Sequence, residues 1–321
     1  MAQIIDHLKI IDIIEHANQD TLLSYIEQSF VQYSQGQAVV PPVGTLTFDS
    51  PPGDVHIKYG YVKEQVHYVI KIASGFYDNP KLGLSSSNGL NLVFNQKNGL
   101  LAAILLDQGF LTDVRTALAG AVTAKYLAPK EVKRIGIIGT GIQARLQLKY
   151  LKEVTDCREV LVWGRDRVKS EQYQQEMSSE GFNVEIAETT QEIGQNCQLI
   201  VTTTPSTEPL LLAKDIQGDV LITAMGADTK GKQELEYKIL TQASLIAMDS
   251  RSQCEAHGEI HKAMMTRSIE DRERLEIGDI ISDADFQRPP GIVVADLTGI
   301  ATQDMMISKY VLDQITDTSN D

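Results

Sequence analysis

A strand that runs into a glycine turn and then a helix constrains this chain more than any other feature. Residues Lys133-Arg-Ile-Gly-Ile-Ile-Gly-Thr-Gly-Ile-Gln-Ala144 read as a short apolar strand, a Gly-x-Gly-x-x-Ala turn and the first turn of a helix. Gly139 allows the sharp turn, Gly141 removes the side chain that would block a pyrophosphate, and Ala144 keeps the helix close to the sheet. The backbone N–H groups around Thr140, Ile142 and Gln143 then face the phosphates at the helix start. Glycine-rich turns also end ordinary strands, but strand, turn and helix in this order specify a dinucleotide site.

The next strand, residues 159–163, ends in Gly164-Arg-Asp-Arg167. NAD-preferring sites place an acidic residue at this strand end for the ribose hydroxyls, whereas NADP-preferring sites place an arginine near the extra phosphate. Gly164 stands where the acid is expected and Arg165 follows it, which tilts the site toward NADP(H) over NAD(H). Two alternatives stay open: Arg165 as a solvated turn residue, and Asp166 as the ribose partner. A later strand, 199–205, ends in hydroxyls and proline, so Thr203 and Thr204 suit a strand end lining the cofactor crevice, although threonine also has plain β-propensity. Gly226, in the loop after strand 220–224, joins the expected cofactor-binding residues.

From about residue 133 to 250 the chain alternates strand and helix, with apolar runs at 135–138, 160–163, 184–186, 199–203, 220–224 and 245–248. This pattern predicts an α/β fold, a Rossmann-type doubly wound parallel sheet with helices on both faces. The first 130 residues predict an α+β unit: a helix over 10–33, a Pro/Gly segment, then antiparallel strands at 57–61, 68–72, 90–94 and 100–106, and a helix over 112–127. A last helix, around 303–315, can return to that unit. The expected domains are 1–128 plus 297–321, and 129–296.

The length of 321 residues suits two domains, and a net charge of −14 argues against a nucleic-acid partner, which would need a basic face. No apolar stretch approaches membrane-spanning length, and the first residues lack a basic stretch followed by an apolar run, so neither membrane span nor signal peptide is expected. Cys157, Cys197 and Cys254 are far apart and odd in number, which suits reduced thiols in the cytoplasm. His257 and His261 have helical metal-site spacing but sit in a polar stretch, and no metal is expected.

With a nicotinamide carrying hydride, the protein must supply substrate anchoring and proton transfer. Three polar residues stand out. Lys71 interrupts an apolar strand, Arg115 lies in an alanine-rich helix, and Asp228 follows a strand at its C-terminal end, where ligands of such sheets bind. From pattern alone each has a bland alternative: an edge lysine, a snorkelling arginine, a turn aspartate.

Taken together, Leu111-Thr-Asp-Val-Arg-Thr-Ala117, Ile138-Gly-Thr-Gly-Ile-Gln-Ala144 and Gly226-Ala-Asp-Thr-Lys-Gly-Lys-Gln-Glu-Leu235 resemble the ornithine cyclodeaminase/mu-crystallin family. The resemblance spans nearly the whole chain. It implies a Rossmann domain plus an α+β substrate and dimerisation domain, a nicotinamide cofactor, a small amino or imino acid substrate and a homodimer. It further implies that Arg115 pairs with the substrate carboxylate, Lys71 contacts that carboxylate or the reacting nitrogen, and Asp228 moves protons at the amine or imine.

The leading expectation is an NAD(P)H-dependent reductase of small α-imino acids, of ketimine, pyrroline-carboxylate or iminosuccinate type, or in reverse an amino-acid dehydrogenase. The alternatives are an ornithine cyclodeaminase and a cofactor-binding crystallin-like protein without turnover. One departure from the family pattern stands at Gly44, where many members carry a carboxylate-binding arginine. Lys58 is the candidate replacement. A lysine there repels the distal ammonium of ornithine and suits a second carboxylate or a plain small substrate.

Overall fold

The structure, a computed structural model, describes residues 2–76, 78–266, 269–270 and 272–318. The chain forms two compact units, Met1–Arg115 with Ile300–Asp321, and Thr116–Gly299.

Unit 1 begins with β1 (Gln3–Ile5), α1 (His7–Glu15) and α2 (Gln19–Ser34). The single helix expected over 10–33 is two helices because Asn18 caps the second, its side chain accepting from Thr21 N at 2.9 Å. Then come β2 (Ala38–Val39), β3 (Gly44–Asp49), β4 (Pro52–Val62), β5 (His67–Phe76), β6 (Ser87–Asn95) and β7 (Leu101–Leu105). They form one sheet in the order β1-β7-β6-β5-β4-β2, with β3 on β4. All pairs are antiparallel except β1 with β7.

Register decides what this sheet presents. Lys58, Lys71 and Asn91 are cross-strand partners on β4, β5 and β6, so they share one face. Val62, Val69 and Val93 on the same face are buried. Leu46, Phe48, Tyr59 and Tyr61 are exposed on the opposite face, where Tyr68 stacks on Phe94 at 5.0 Å. Helix α3 (Phe110–Leu127) then leads out of unit 1.

Unit 2 continues with β8 (Ile135–Ile138), α4 (Ile142–Leu151), β9 (Glu159–Trp163), α5 (Arg167–Ser179), β10 (Asn183–Ile186), α6 (Thr190–Asn196), β11 (Leu199–Thr202) and β12 (Val220–Ala224). After these come α7 (Tyr237–Gln242), β13 (Leu245–Met248), α8 (Arg251–Ala256), α9 (Glu259–Met265), β14 (Arg274–Glu276), α10 (Ile277–Ser282) and β15 (Ile292–Asp296). The eight strands are all parallel, in the order β10-β9-β8-β11-β12-β15-β13-β14. Strand order reverses between β8 and β11, the point at which doubly wound sheets bind ligands.

Strands β8, β11, β12 and β13 are buried along their whole length, which is why they read as continuous apolar runs. β14 and β15 lie outside the six expected runs, yet β15 is central. Its Ile-Val-Val core directly follows Pro289, Pro290 and Gly291, a boundary signal that was there to be read.

The division between units falls inside α3, earlier than residue 128. From Thr116 onward that helix packs on α4: Gln147 Nε2 donates to Thr116 O at 3.0 Å, and a Cβ at Gly120 would lie 2.0 Å from Gln147 Oε1. At the other crossing, Asp249 Oδ2 accepts from Thr298 N at 2.9 Å and Gly299 N at 2.5 Å, tying those residues to unit 2. The chain then re-enters unit 1 as α11 (Ala301–Thr318), longer than the helix expected over 303–315. It packs on the Lys58–Lys71–Asn91 face, where a Cβ at Gly60 would meet Met305 Cε at 2.7 Å.

Candidate functional site

In unit 2 the turn after β8 has the geometry its sequence dictates. Gly139 has φ +124°, and a Cβ there would lie 2.5 Å from Thr203 Oγ1. Gly141 is the N-cap of α4 without a side-chain cap, and a Cβ there would meet nothing within 4 Å. The helix thus offers uncapped N–H groups across open space, the fit an anionic pyrophosphate requires. Ile142 opens the helix exposed, Gln143 is half-buried beside it, and Ala144 is fully buried against the sheet.

Thr140 explains the glycine at the next strand end. A Cβ at Gly164 would lie 2.6 Å from Thr140 Cγ2 and 3.0 Å from Ser170 Oγ, so an acidic side chain does not fit there without displacement. Asp166, the other candidate for the ribose, caps α5: its Oδ1 accepts from Val168 N at 3.0 Å and Lys169 N at 3.3 Å. Arg165 is exposed between them.

Glu234, which the sequence pattern did not single out, organises the strand ends around this site. It is fully buried; its Oε1 accepts from Thr204 N at 2.5 Å and Thr204 Oγ1 at 2.7 Å. Its Oε2 accepts from Thr202 Oγ1 at 2.6 Å and Gly226 N at 2.8 Å. The donors of Thr204 and the N–H of Gly226 therefore point at Glu234. Thr203 instead donates its N–H to Ile138 O at 2.9 Å, joining the ends of β11 and β8. Glu259 Oε1 accepts from Glu234 N at 2.6 Å, and burial pushes the Glu259 carboxyl well above the usual carboxylate range, with Asp296 adding to the effect. Asp228, on the loop that Glu234 anchors through Gly226, is exposed and bonded by Lys232 Nζ at 2.7 Å.

Unit 1 holds a buried ionic cluster. Lys71 is 2% exposed and donates from Nζ to Asp304 Oδ1 at 3.0 Å. Arg115 is 5% exposed; its Nε lies 3.0 Å from the same oxygen, off the hydrogen-bonding line, and its NH1 donates to Gln303 Oε1 at 3.0 Å. Burial pushes the Lys71 ammonium down to about 7, against the pull of Asp304 and with the help of Arg115 and Lys58. Burial also works to raise the Asp304 carboxyl, but the positive charge of Lys71, Arg115 and Lys58 outweighs it and holds the group below the usual carboxylate range.

Several buried acceptors in this cluster have no partner among the described residues: Asp304 Oδ2, Asn91 Oδ1 and Asp107 Oδ1. The other Asp107 oxygen accepts from Leu111 N at 2.9 Å near the start of α3. Cations for a carboxylate and acceptors for N–H groups therefore lie side by side, a combination that matches an amino or imino acid.

The structure brings Lys71, Arg115 and Lys58 to one cluster and adds Asp304 and Gln303 from α11, which the sequence pattern left out. A signal for Asp304 existed, because Ile300, Asp304, Ile307 and Val311 fall at helical spacing, so a carboxylate stands in an otherwise apolar stripe. Gly44 requires a correction. It pairs with Ile57, so a side chain there would point to the sheet face opposite Lys58. Lys58 serves the cluster from its own position and is no spatial substitute for a residue at Gly44.

Among the described residues no group of His, Cys, Asp or Glu forms a metal-holding set, and His257 and His261 fall on either side of a helix start. All three cysteines are buried free thiols, and no helix among the described residues is long and apolar enough to cross a membrane.

The fold and the cradle define a dinucleotide-binding α/β protein with a second, α+β unit. Residues 6–319 match the ornithine cyclodeaminase/mu-crystallin family, and the chain belongs to it. It is 37% identical over 273 residues (84% of this chain, 82% of the relative) to a Sinorhizobium fredii protein named uncharacterized cyclodeaminase y4tK. An archaeal alanine dehydrogenase dimer solved with bound NAD superposes with TM-score 0.89 at 28% identity, covering 99% of this chain and 97% of that one. The iminosuccinate reductase of Paracoccus denitrificans in complex with NAD+ superposes with TM-score 0.87 at 26% identity, again over 99% and 97%.

Proposed function

We propose that this chain is a nicotinamide-dependent reductase of small α-imino acids, and in reverse an amino-acid dehydrogenase. The observation that carries the reading is the buried Lys71–Asp304–Arg115 cluster in a chain that also builds a dinucleotide cradle. When bound, the nicotinamide supplies or accepts the hydride. Gly139, Gly141 and the backbone N–H groups at the start of α4 would hold its pyrophosphate.

Arg115 anchors the substrate carboxylate through its planar guanidinium, and Lys71 adds a second positive contact beside it. Asp304 keeps both cations in place. Its unpartnered Oδ2, with Asn91 Oδ1, accepts N–H groups of the substrate nitrogen. Asp228 of unit 2, held by Lys232 at 2.7 Å, is the residue that the family resemblance implies for proton transfer. An iminium carbon accepts hydride far better than a neutral imine, so charge placed at nitrogen lowers the barrier directly.

The cofactor preference leans to NADP(H), supported by exposed Arg165, by Thr140 against Gly164, and by the capping duty of Asp166. Both solved relatives described above hold NAD, so the lean is a property proposed for this chain's own strand end. A homodimer forms through the sheet face carrying exposed Leu46, Phe48, Tyr59 and Tyr61, an apolar patch that a second copy covers. The cytoplasm suits three free thiols and a nicotinamide-dependent reaction.

Absorbance at the nicotinamide band, with NADPH and a panel of imino acids, tests the reading beside an ammonia assay with ornithine. Cofactor consumption with an imino acid is expected. Ammonia release at constant absorbance would establish a cyclodeaminase instead, and tight NADPH binding without any turnover would establish a binding protein.

A further inference from the structure

The backbone does not require glycine at position 164. Gly164 lies outside the left-handed region that Gly139 occupies at φ +124°, so an L-residue could adopt its conformation. What keeps a side chain out is the phosphate turn. Gly139 N donates to Trp163 O at 2.8 Å, which fixes the turn against the end of β9 and sets the next residues, Thr140 and Gly164, side by side. A Cβ on Gly164 would lie 2.6 Å from Thr140 Cγ2 and 3.3 Å from Thr140 Oγ1, so both branches of the threonine are turned toward it.

The neighbours have little room to withdraw. Thr140 is β-branched and stiff at χ1, and its carbonyl accepts from Arg145 NH1. Ser170 Oγ would lie 3.0 Å from the same Cβ; that residue is buried, and its hydroxyl donates to Asp166 O at 3.1 Å. A threonine side chain thus fills the space from which NAD-preferring sites project a carboxylate. Asp166 is engaged elsewhere, its Oδ1 accepting from Val168 N and Lys169 N.

We propose that Thr140 sets the cofactor selectivity of this protein by occupying the place of the ribose-binding acid. The end of β9 is left without a carboxylate to bind the ribose hydroxyls of NA(D)H or to repel the extra phosphate of NADP(H), and exposed Arg165 adds a positive charge there. This rests on the dinucleotide reading and on the lean to NADP(H) above, and names the residue behind that lean. Selectivity is decided in the turn after β8, by a residue one strand away from the position where the acid would stand.

The two positions must then act as a pair. Gly164→Asp alone pushes its Cβ into Thr140 and displaces the phosphate turn, whereas Thr140→Ala removes both branch atoms and makes room. Fluorescence titration with NADPH and NADH compares the wild type, Gly164→Asp, Thr140→Ala and the double variant, with a thermal melt of each. No imino acid is needed, so the result is independent of the substrate. Gly164→Asp is expected to weaken both cofactors about tenfold or more, since the turn that holds their shared pyrophosphate moves. In the double variant NADH affinity returns to about the wild-type value or better while NADPH stays weak. The ratio of NADPH to NADH affinity falls about 100-fold, for one charged contact to the ribose gained and one repulsion of the phosphate added. Gly164→Ala, alone and with Thr140→Ala, repeats the steric half without charge: both affinities fall together and then recover. That pair decides the matter where an aspartate variant does not fold.

A Gly164→Asp variant that shifts the ratio as far as the double variant, with NADH affinity intact, overturns the role of Thr140. So does a double variant with an unchanged ratio, because the ribose then does not sit at this strand end. A wild type that prefers NADH, with the two positions still coupled and the ratio still falling in the double variant, overturns the NADP(H) lean and supports the role of Thr140. Binding of neither cofactor by the wild type overturns both.

Discussion

The two polar sites of this protein are built on opposite plans. The cradle of unit 2 is made from consecutive residues, 139–144, and works through backbone N–H groups and the absence of side chains. The cluster of unit 1 is made from side chains on β4, β5, α3 and α11, and its bonded pair Lys71 and Asp304 lie 233 positions apart. The first depends on conformation and open space; the second depends on charges that must compensate one another out of water. A site of the first kind tolerates changes around it but no side chain within it. A site of the second kind fails when any one partner is lost.

The largest effect expected from this contrast is on stability. Asp304→Ala leaves Lys71 and Arg115 buried without their shared anion, a loss of about 3–5 kcal/mol for a broken buried pair. Urea denaturation measures it, and a change below about 1 kcal/mol would show the cluster to be better hydrated than its burial implies. Gly141→Val sharpens the other side. Its position has an ordinary φ of −82° and open space around it, so the fold loses less than about 1 kcal/mol while NADPH affinity falls about 100-fold through collision with the pyrophosphate. Parallel loss of stability and affinity in that variant would break the distinction.

A smaller and graded effect is expected with pH. Lys71 is held down to about 7, so its ammonium is present below that pH and lost above it. If the charge helps bind the substrate, kcat/KM for the imino acid declines as pH rises through 7, approaching about tenfold per unit for one required proton. Lys71→Arg stays charged and moves that limb out of the neutral range even where its overall rate is lower. An unchanged limb in Lys71→Arg assigns the titration to another group.

The smallest effect belongs to the rim of the cradle. Arg165→Ala lowers the ratio of NADPH to NADH affinity several-fold, up to about tenfold, because an exposed charge contact is screened by salt. A ratio that does not move leaves Arg165 as a solvated turn residue.

The same contrast explains what the sequence revealed. The cradle was legible because a backbone motif writes its requirements in adjacent letters: glycine for turn and approach, alanine for packing. Six strands of the parallel sheet were legible as apolar runs, and β15 was missed although its proline and glycine boundary marks it. In unit 1, Lys71 and Arg115 stood out as charges in apolar surroundings. Their shared partner Asp304 lay in a helix read only for its period, and nothing local connects it to strand β5. Glu234 was hidden for a related reason, because the four hydrogen bonds its carboxylate accepts come from Thr202, Thr204 and Gly226, which only the fold brings near. The Gly44 reading failed on pleat parity, since one residue of offset places a side chain on the other face of the sheet.

The division of labour between the two sites is tested most directly by Arg115→Lys, which keeps the charge and removes the planar fork. The measurement pairs an NADPH titration by fluorescence with kcat/KM for the best imino acid found in the panel. A loss of about 100-fold in kcat/KM with NADPH affinity within about twofold of the wild type is the predicted result. Equal losses in both quantities, or no loss in kcat/KM, would contradict the assignment of the unit 1 cluster as the substrate clamp.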